Sequence, residues 1–181
     1  MKTVILVNGV PASGKSTIAK AISVHFDHPY LSIDVIKEPF MAIHDNIDRA
    51  FNREMGKSAY QVIWDTVSDA PDGCTYVIDA WFGFQPKETL EQYLKSAGVD
   101  QVIEVWNQIS PELVSQRYRD RLPFRKEGHP GEEYIPELAA LAERALPMRV
   151  GTLISVDQDK GFEMGDLLAS IQSNNRTLDV A

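Results

Sequence analysis

Residues Gly9-Val10-Pro11-Ala12-Ser13-Gly14-Lys15-Ser16-Thr17 place two glycines five positions apart, with a Lys-Ser-Thr run behind the second. This spacing suits phosphate chemistry. Gly9 and Gly14 can take backbone angles closed to residues that carry a Cβ, so the loop can turn its N–H groups inward around an anion. A helix opening near Lys15 would aim its positive end at the same anion. Lys15 adds a full charge toward the β- and γ-phosphates, and the Ser16 hydroxyl can ligate Mg²⁺. The pattern G-x-x-x-x-G-K-[ST] is matched in full. It therefore predicts a nucleoside triphosphate held by Gly9, Pro11, Ala12, Ser13, Gly14, Lys15, Ser16 and Thr17.

Further residues could complete a reaction at that phosphate. Asp34 closes the run YLSID, and Asp79 closes YVID. In a parallel sheet the carboxyl ends of the strands face the ligand crevice. Asp34 could there accept or orient the proton of an attacking hydroxyl, or simply cap the helix that follows. Asp79 could serve Mg²⁺, directly or through water, or could face the acceptor. Trp81, Phe82 and Phe84 come next, as pocket lining or as packing. Arg117, Arg119, Arg121, Arg125 and Lys126 form a basic cluster in which Arg117 and Arg121, four apart, share a helical face. Such a pair can stabilise the charge on a transferring phosphoryl group. His129, between a glycine and a proline, would be presented at a loop tip to phosphate or acceptor, or merely exposed. His25, His28 and His44 show no metal-ligand spacing with Cys74.

These residues need elements to position them. Apolar, β-branched runs at 3–7, 75–78, 102–106 and 153–156, with a weaker one at 30–33, predict strands buried on both faces. Helical spacing between them predicts helices over 16–26, 58–67 (with Ala59, Val62, Ile63 and Thr66 on one face), 86–97, 111–121 and 162–171. The alternation implies an α/β fold with a parallel sheet of about five strands covered on both sides. Residues 122–136 carry three prolines and two glycines without an apolar period, and 117–136 are expected to form a mobile lid on a single domain of 181 residues. The tail from Ser173 is expected to fray.

The net charge of −8 argues against general nucleic-acid or membrane-surface binding, since both call for a basic face. One cysteine excludes an intrachain disulfide framework, and the N-terminal apolar run is too short for a signal-peptide core or a membrane span. A cytoplasmic location is the expectation. The N/T-K-x-D guanine reader and the D-x-x-G element of regulatory GTPases are both missing, because Asp79 is followed by Ala-Trp-Phe, so ATP is the expected donor.

GVPASGKST, LSIDVIK, YVIDA and RYRDR together resemble the small P-loop kinases, and within them the chloramphenicol-phosphotransferase-like and zeta-toxin-like group. The resemblance implies a nucleoside-monophosphate-kinase-like three-layer sandwich, catalysis with ATP and Mg²⁺, and a small-molecule hydroxyl as acceptor to a monomer or homodimer. It implies the acid/base role for Asp34 and places R-x-x-x-R, here Arg117 and Arg121, at the start of the lid. It also sets adenine between the lid and residues 157–161. Arg49 and Arg53 keep a nucleotide or nucleotide-sugar acceptor open, and a nucleotide-dependent regulatory protein is the reading from another class.

Overall fold

The computed structural model describes residues 1–175. In chain order it contains β1 (Thr3–Asn8), α1 (Lys15–Phe26), β2 (Tyr30–Ser32), α2 (Ile33–Met41), α3 (Arg49–Asp69), β3 (Thr75–Ala80), α4 (Lys87–Ser96), β4 (Gln101–Gln108), α5 (Pro111–Arg121), α6 (Ile135–Arg144), β5 (Thr152–Asp157) and α7 (Met164–Asn174). The five strands form one parallel sheet in the order β2-β3-β1-β4-β5.

β1 is central, and every residue of TVILVN is buried, as expected of a strand covered on both faces. The two-residue period divides its side chains between the layers. Val4 and Leu6 join Ile78, Ala80 and Phe82 beneath α3 and α4, while Ile5 and Val7 join Val77, Ile103 and Val105 beneath α1 and α7. At about 1.5–3 kcal/mol for each buried aliphatic side chain, this strand alone anchors the sheet. A third cluster, around Val10, Val114, Tyr118 and Leu138, packs α5 and α6 against the loop after β1.

Register sets where the chemistry collects. Asn8 pairs with Ala80 and with Trp106, Val7 with Asp79, and Ser32 with Asp79. The carboxyl ends of β1, β2 and β3 are therefore level, and the segments that leave them open into one crevice.

Several elements differ from the sequence expectation. α3 begins at Arg49 and buries Ala59, Tyr60, Ile63, Trp64 and Val67. The buried face is thus rotated from the expected one, and Val62 is 47% exposed. The aromatic residues decide this, because Tyr60 and Trp64 bring more apolar area to the core than Val62 and Thr66 can. α6 occupies a stretch for which no element was expected, and 122–136 is not structureless, since 3-10 turns occupy Leu122–Phe124 and Glu132–Tyr134. Ser173 and Asn174 belong to α7, so the expected fraying does not start there. The remainder of that tail, 176–181, lies outside the described residues.

One buried carboxylate locks the sheet under the site. Glu104 on β4 is fully buried and accepts from Asn8 Nδ2 (2.8 Å), Met148 N–H (2.8 Å) and Arg149 N–H (2.7 Å). Asn8 in turn accepts the Phe82 N–H at 3.1 Å. Glu104→Ala strands one buried and two partly buried donors, each costing about 1–3 kcal/mol. Urea unfolding should show a loss of at least about 3 kcal/mol, and a loss under about 1 kcal/mol would contradict this account.

Candidate active site

The loop after β1 has the backbone its sequence requires. Gly14, the N-cap of α1, sits at φ 90°, and Ala12 takes the left-handed region at φ 63°. A Cβ on Gly9 would lie 2.5 Å from Ser13 Oγ, and one on Gly14 would lie 3.1–3.2 Å from Gln158 Oε1 and Arg117 Nη1. Ser13 N–H closes a turn to Val10 O (3.2 Å), and Thr17 N–H bonds to Gly14 O (3.1 Å). The N–H groups of Gly14, Lys15 and Ser16 donate to no backbone carbonyl of the described residues. Orphan donors at a helix N-terminus form an anion site. Lys15 Nζ lies 3.5 Å from Val10 O, at the same place.

Two cavities flank this loop. The first, about 590 Å³, is lined by Gly14, Thr17, Arg117, Gln158, Phe162 and Met164 among others. The second, about 570 Å³, takes in Pro11, Asp34, Asp79, Trp81, Arg125 and His129. Ala12, Lys15, Ser16 and Arg121 line both, so the cavities meet at the loop. A phosphate chain on the loop amides would thus have one compartment on either side.

Asp34, expected to close the strand, lies in the first turn of α2, two residues beyond the end of β2 at Ser32. Ser32 is the N-cap position, so Asp34 does not cap this helix. Its carboxylate forms an ion pair with Lys37 at 3.1 Å and keeps 55% side-chain exposure toward the cleft. Partial burial works against its charge, but Lys37, then Lys15 and His129, outweigh that and hold the carboxyl below its ordinary value. It is therefore ionised at neutral pH. Asp79, in the second cavity, is only 3% exposed. Its Oδ2 accepts from the Tyr30 hydroxyl (2.8 Å), while Oδ1 is buried without a hydrogen-bond partner. Burial, then the neighbouring Asp79 charge, raises the Tyr30 pKa, so Tyr30 stays a donor. A buried carboxylate oxygen without a donor, in the same lining as Ser16, fits a divalent cation.

The arginines divide between the two compartments. Arg117 Nη1 donates to Gln158 Oε1 (2.8 Å) and Ser13 O (3.3 Å), and Gln158 Nε2 donates to Asn107 Oδ1 (3.2 Å). Arg117 is thereby fastened over the phosphate loop on the side of the first cavity. Arg121 makes no hydrogen bond or ion pair with a described residue and faces both cavities. Arg119, off the shared face as expected, lies 4.0 Å from Glu132.

Two expectations are corrected. Phe82 does not line the cleft: it is fully buried and packs edge-on against Tyr60, because the 3-10 turn Phe82–Phe84 points its first ring into the core. Phe84, 44% exposed, and Trp81 face the cavity instead. His129 is not presented at an exposed loop tip, since its side chain is 5% exposed. Tyr118 OH holds the Pro130 carbonyl (2.7 Å), Asn52 Nδ2 bonds the Gly128 carbonyl, and Lys126 pairs with Glu38 at 2.7 Å. These ties press the segment onto α2 and α3. Arg125 stacks over the Tyr118 ring (4.7 Å) and donates to His129 Nδ1 at 2.9 Å.

Because arginine only donates, Nδ1 accepts, and the Nε2–H faces Glu38 Oε1 at 3.3 Å. The ring is neutral. Burial, then Lys37 and Arg125, push its pKa below the ordinary value, against smaller opposite pulls from Asp34 and Glu38.

Sequence reasoning passed over Lys37, Asn52, Lys57, Tyr118, Tyr134, Phe162 and Met164, all of which line a cavity. Only their periodicity along α2, α3 and α5, or their position before α6 or after β5, could have signalled them.

A parallel sheet in this order, with a phosphate loop between its central strand and the following helix, is the fold of the small P-loop kinases. The family described as chloramphenicol phosphotransferase-like protein matches residues 2–128, and the chain belongs to that family. It is accordingly a kinase-type phosphotransferase that uses a nucleotide and a small-molecule acceptor. Among solved structures it is similar to a "putative kinase" from Chloroflexus aurantiacus J-10-fl (21% identity, 97% of this chain and 99% of that one, TM-score 0.82). It also resembles a sugar kinase from Janibacter sp. HTCC2649 (19% identity, 99% and 95% covered, TM-score 0.59). A third similar structure is the shikimate kinase of Bacteroides thetaiotaomicron (16% identity, 96% of each chain, TM-score 0.54). No curated protein matches significantly. No helix among the described residues is long and apolar enough to cross a membrane.

The neutral His129 makes a pH prediction. Its folded-state pKa lies below the unfolded value of about 6.5, so the unfolded chain takes up the proton first as pH falls. The contribution to stability is whole above about pH 6.5 and declines below it. Between about pH 7 and pH 5.5, His129→Gln should lose less stability than the parent in urea unfolding. His28, also held down by burial, acts in the same direction in both proteins. Equal losses would contradict the assignment.

Proposed function

We propose that this protein transfers the γ-phosphoryl group of ATP to a hydroxyl of a small organic molecule. The observation that carries the reading is the pair of cavities meeting at Ala12, Lys15, Ser16 and Arg121, one compartment for the donor and one for the acceptor. Two solvent-connected compartments on opposite sides of one phosphate loop favour transfer between bound partners.

In this reading the loop amides and Lys15 hold the β- and γ-phosphates, and the nucleoside lies in the cavity with Gln158, Phe162 and Met164. Ser16 and Asp79 would hold Mg²⁺, which neutralises charge on the phosphates when bound. Asp34 orients the acceptor hydroxyl. A new bond forms between the acceptor oxygen and Pγ, the bond from Pγ to the ADP oxygen breaks, and the hydroxyl proton passes to the Asp34 carboxylate. A depressed pKa makes Asp34 a weak base, which suits a loose transition state in which the proton leaves late. Arg121, without a hydrogen bond or ion pair to a described residue, meets the charge on the transferring group, with Arg117 fixed beside the donor. Residues 117–136 act as the lid that excludes water.

Trp81, Phe84 and Tyr134 give the acceptor compartment aromatic walls, which favours a ring-bearing alcohol, and the family name adds chloramphenicol to the compounds worth testing. Asp34→Asn should lower kcat by about 10²-fold or more while ATP affinity stays within a few-fold, and Lys15→Ala should damage both. The measurement is ATP consumption across a panel of alcohols, with isothermal titration of nucleotide. Turnover that survives Asp34→Asn would refute the role of Asp34. Hydrolysis indifferent to every alcohol would refute the kinase reading.

A further inference from the structure

The acceptor compartment carries an unusual charge for this protein. The chain has a net charge of −8, yet its second cavity is lined by Lys15, Lys37, Arg53, Lys57, Arg121 and Arg125 against only Asp34 and Asp79. Most of these cations already have partners. Lys37 holds Asp34 and Asn52, Lys57 holds Glu54, Arg125 holds His129, and Lys15 lies against the Val10 carbonyl. Arg53 and Arg121 have neither a hydrogen bond nor an ion pair with a described residue. Arg121 lies at the phosphate loop, where transfer needs a cation. Arg53 is on α3, in the part of the cavity that the donor cavity does not share.

Arg49, one turn before it, provides an internal contrast. Its guanidinium grips Glu137 with both carboxylate oxygens and lies 5.5 Å from the Tyr134 ring centroid, and it lines neither cavity. Of the two arginines on this turn, one is used by the fold and one is left facing the cleft. Gly56, three residues beyond Arg53, lines the same cavity inside α3. A glycine in a helix interior is destabilising relative to alanine, and a Cβ there would meet nothing within 4 Å. No packing reason requires Gly56, and its absent side chain leaves room beside Arg53 for a ligand.

We propose that the acceptor bears an anionic group, a phosphate ester or a carboxylate, received by Arg53 with Lys57 beside it, while its ring or apolar part lies along Trp81, Phe84 and Tyr134. This rests on reading the second cavity as the acceptor compartment. Arg53 would then determine specificity by favouring anionic acceptors over neutral alcohols such as chloramphenicol, because only an anion gains a charge-assisted hydrogen bond there.

The test is isothermal titration with three ring-bearing probes: phenyl phosphate, phenylacetate and phenol. Each is added with Mg²⁺ and the non-hydrolysable ATP analogue AMP-PNP at saturation, which keeps the phosphate loop filled. The proposal expects one or both anions to bind at least about tenfold tighter than phenol. Which anion binds tighter distinguishes an organophosphate from a carboxylate acceptor. Arg53→Gln should abolish that preference, Arg53→Lys should keep part of it, and Arg49→Gln should leave it intact. AMP-PNP affinity and the melting temperature should be unchanged in Arg53→Gln, since the residue is exposed and has no hydrogen bond or ion pair with a described residue. Phenol binding as tightly as both anions, or an anion preference that survives Arg53→Gln, would overturn the proposal. If AMP-PNP fails to bind the parent protein, the kinase reading fails instead. The Arg53 dependence of anion binding, measured without nucleotide, then still decides this inference.

Discussion

The level ending of β1, β2 and β3 is the constraint on which the rest of the molecule depends. Parallel pairing puts Ser32 opposite Asp79, and Asn8 opposite Ala80. The phosphate loop, the first turn of α2 and the segment carrying Trp81 therefore all leave the sheet at one height. A one-residue slip in either ladder would turn Asp79 to the other face of the sheet. The packing guards against that slip, since β1 is buried on both faces and supplies side chains to both cores. Beneath the loop, Glu104 and Asn8 tie β4, β1, the Phe82 turn and the approach to β5 into one hydrogen-bonded unit. Such a network rigidifies only when every member is satisfied, and here the carboxylate meets three donors.

Around that frame the electrostatics are uneven. Acidic residues dominate the chain, while cations gather in the cleft. Gathering like charges there costs stability through repulsion, part of which is offset by pairing Lys37 with Asp34 and Arg125 with a neutral His129. A protonated His129 would lose the Arg125 hydrogen bond and add a further positive charge beside Lys37, which is why burial and its neighbours both favour the neutral ring. The same arrangement joins the segment after α5 to α2, so the covering of the cleft and the position of Asp34 are linked through Glu38 and Lys37.

Legibility from sequence followed the range of the interaction. The phosphate loop could be read whole, because its function is written in nine consecutive residues. The inner strands β1, β3 and β4 could be read because burial on both faces leaves a largely apolar run, whereas β5, expected to be buried likewise, buries only Val156. Even the three-residue β2 left a trace. What depends on distant partners was hidden. Gly128-His129-Pro130 suggests an exposed turn, yet the burial of the ring is decided by Glu38, 91 residues away in sequence. Phe82 and Phe84 are chemically equivalent on paper, and only the geometry of the turn after β3 sends the first inward. The roles of Arg49 and Arg53 separate because Glu137 on α6 claims the first. The sequence reading passed over α6 itself, although Ile135, Leu138, Leu141 and Ala142 have helical spacing and the residues around them pack under the loop.

The central claim is that the phosphate loop divides a donor compartment from an acceptor compartment. A crystal structure with Mg²⁺ and AMP-PNP bound tests it most directly. The account predicts the triphosphate on the amides of Gly14, Lys15 and Ser16, the base among Gln158, Phe162 and Met164, and the γ-phosphate turned toward Asp34. A base lodged against Trp81 and Tyr134, or a γ-phosphate directed away from Asp34, would contradict it.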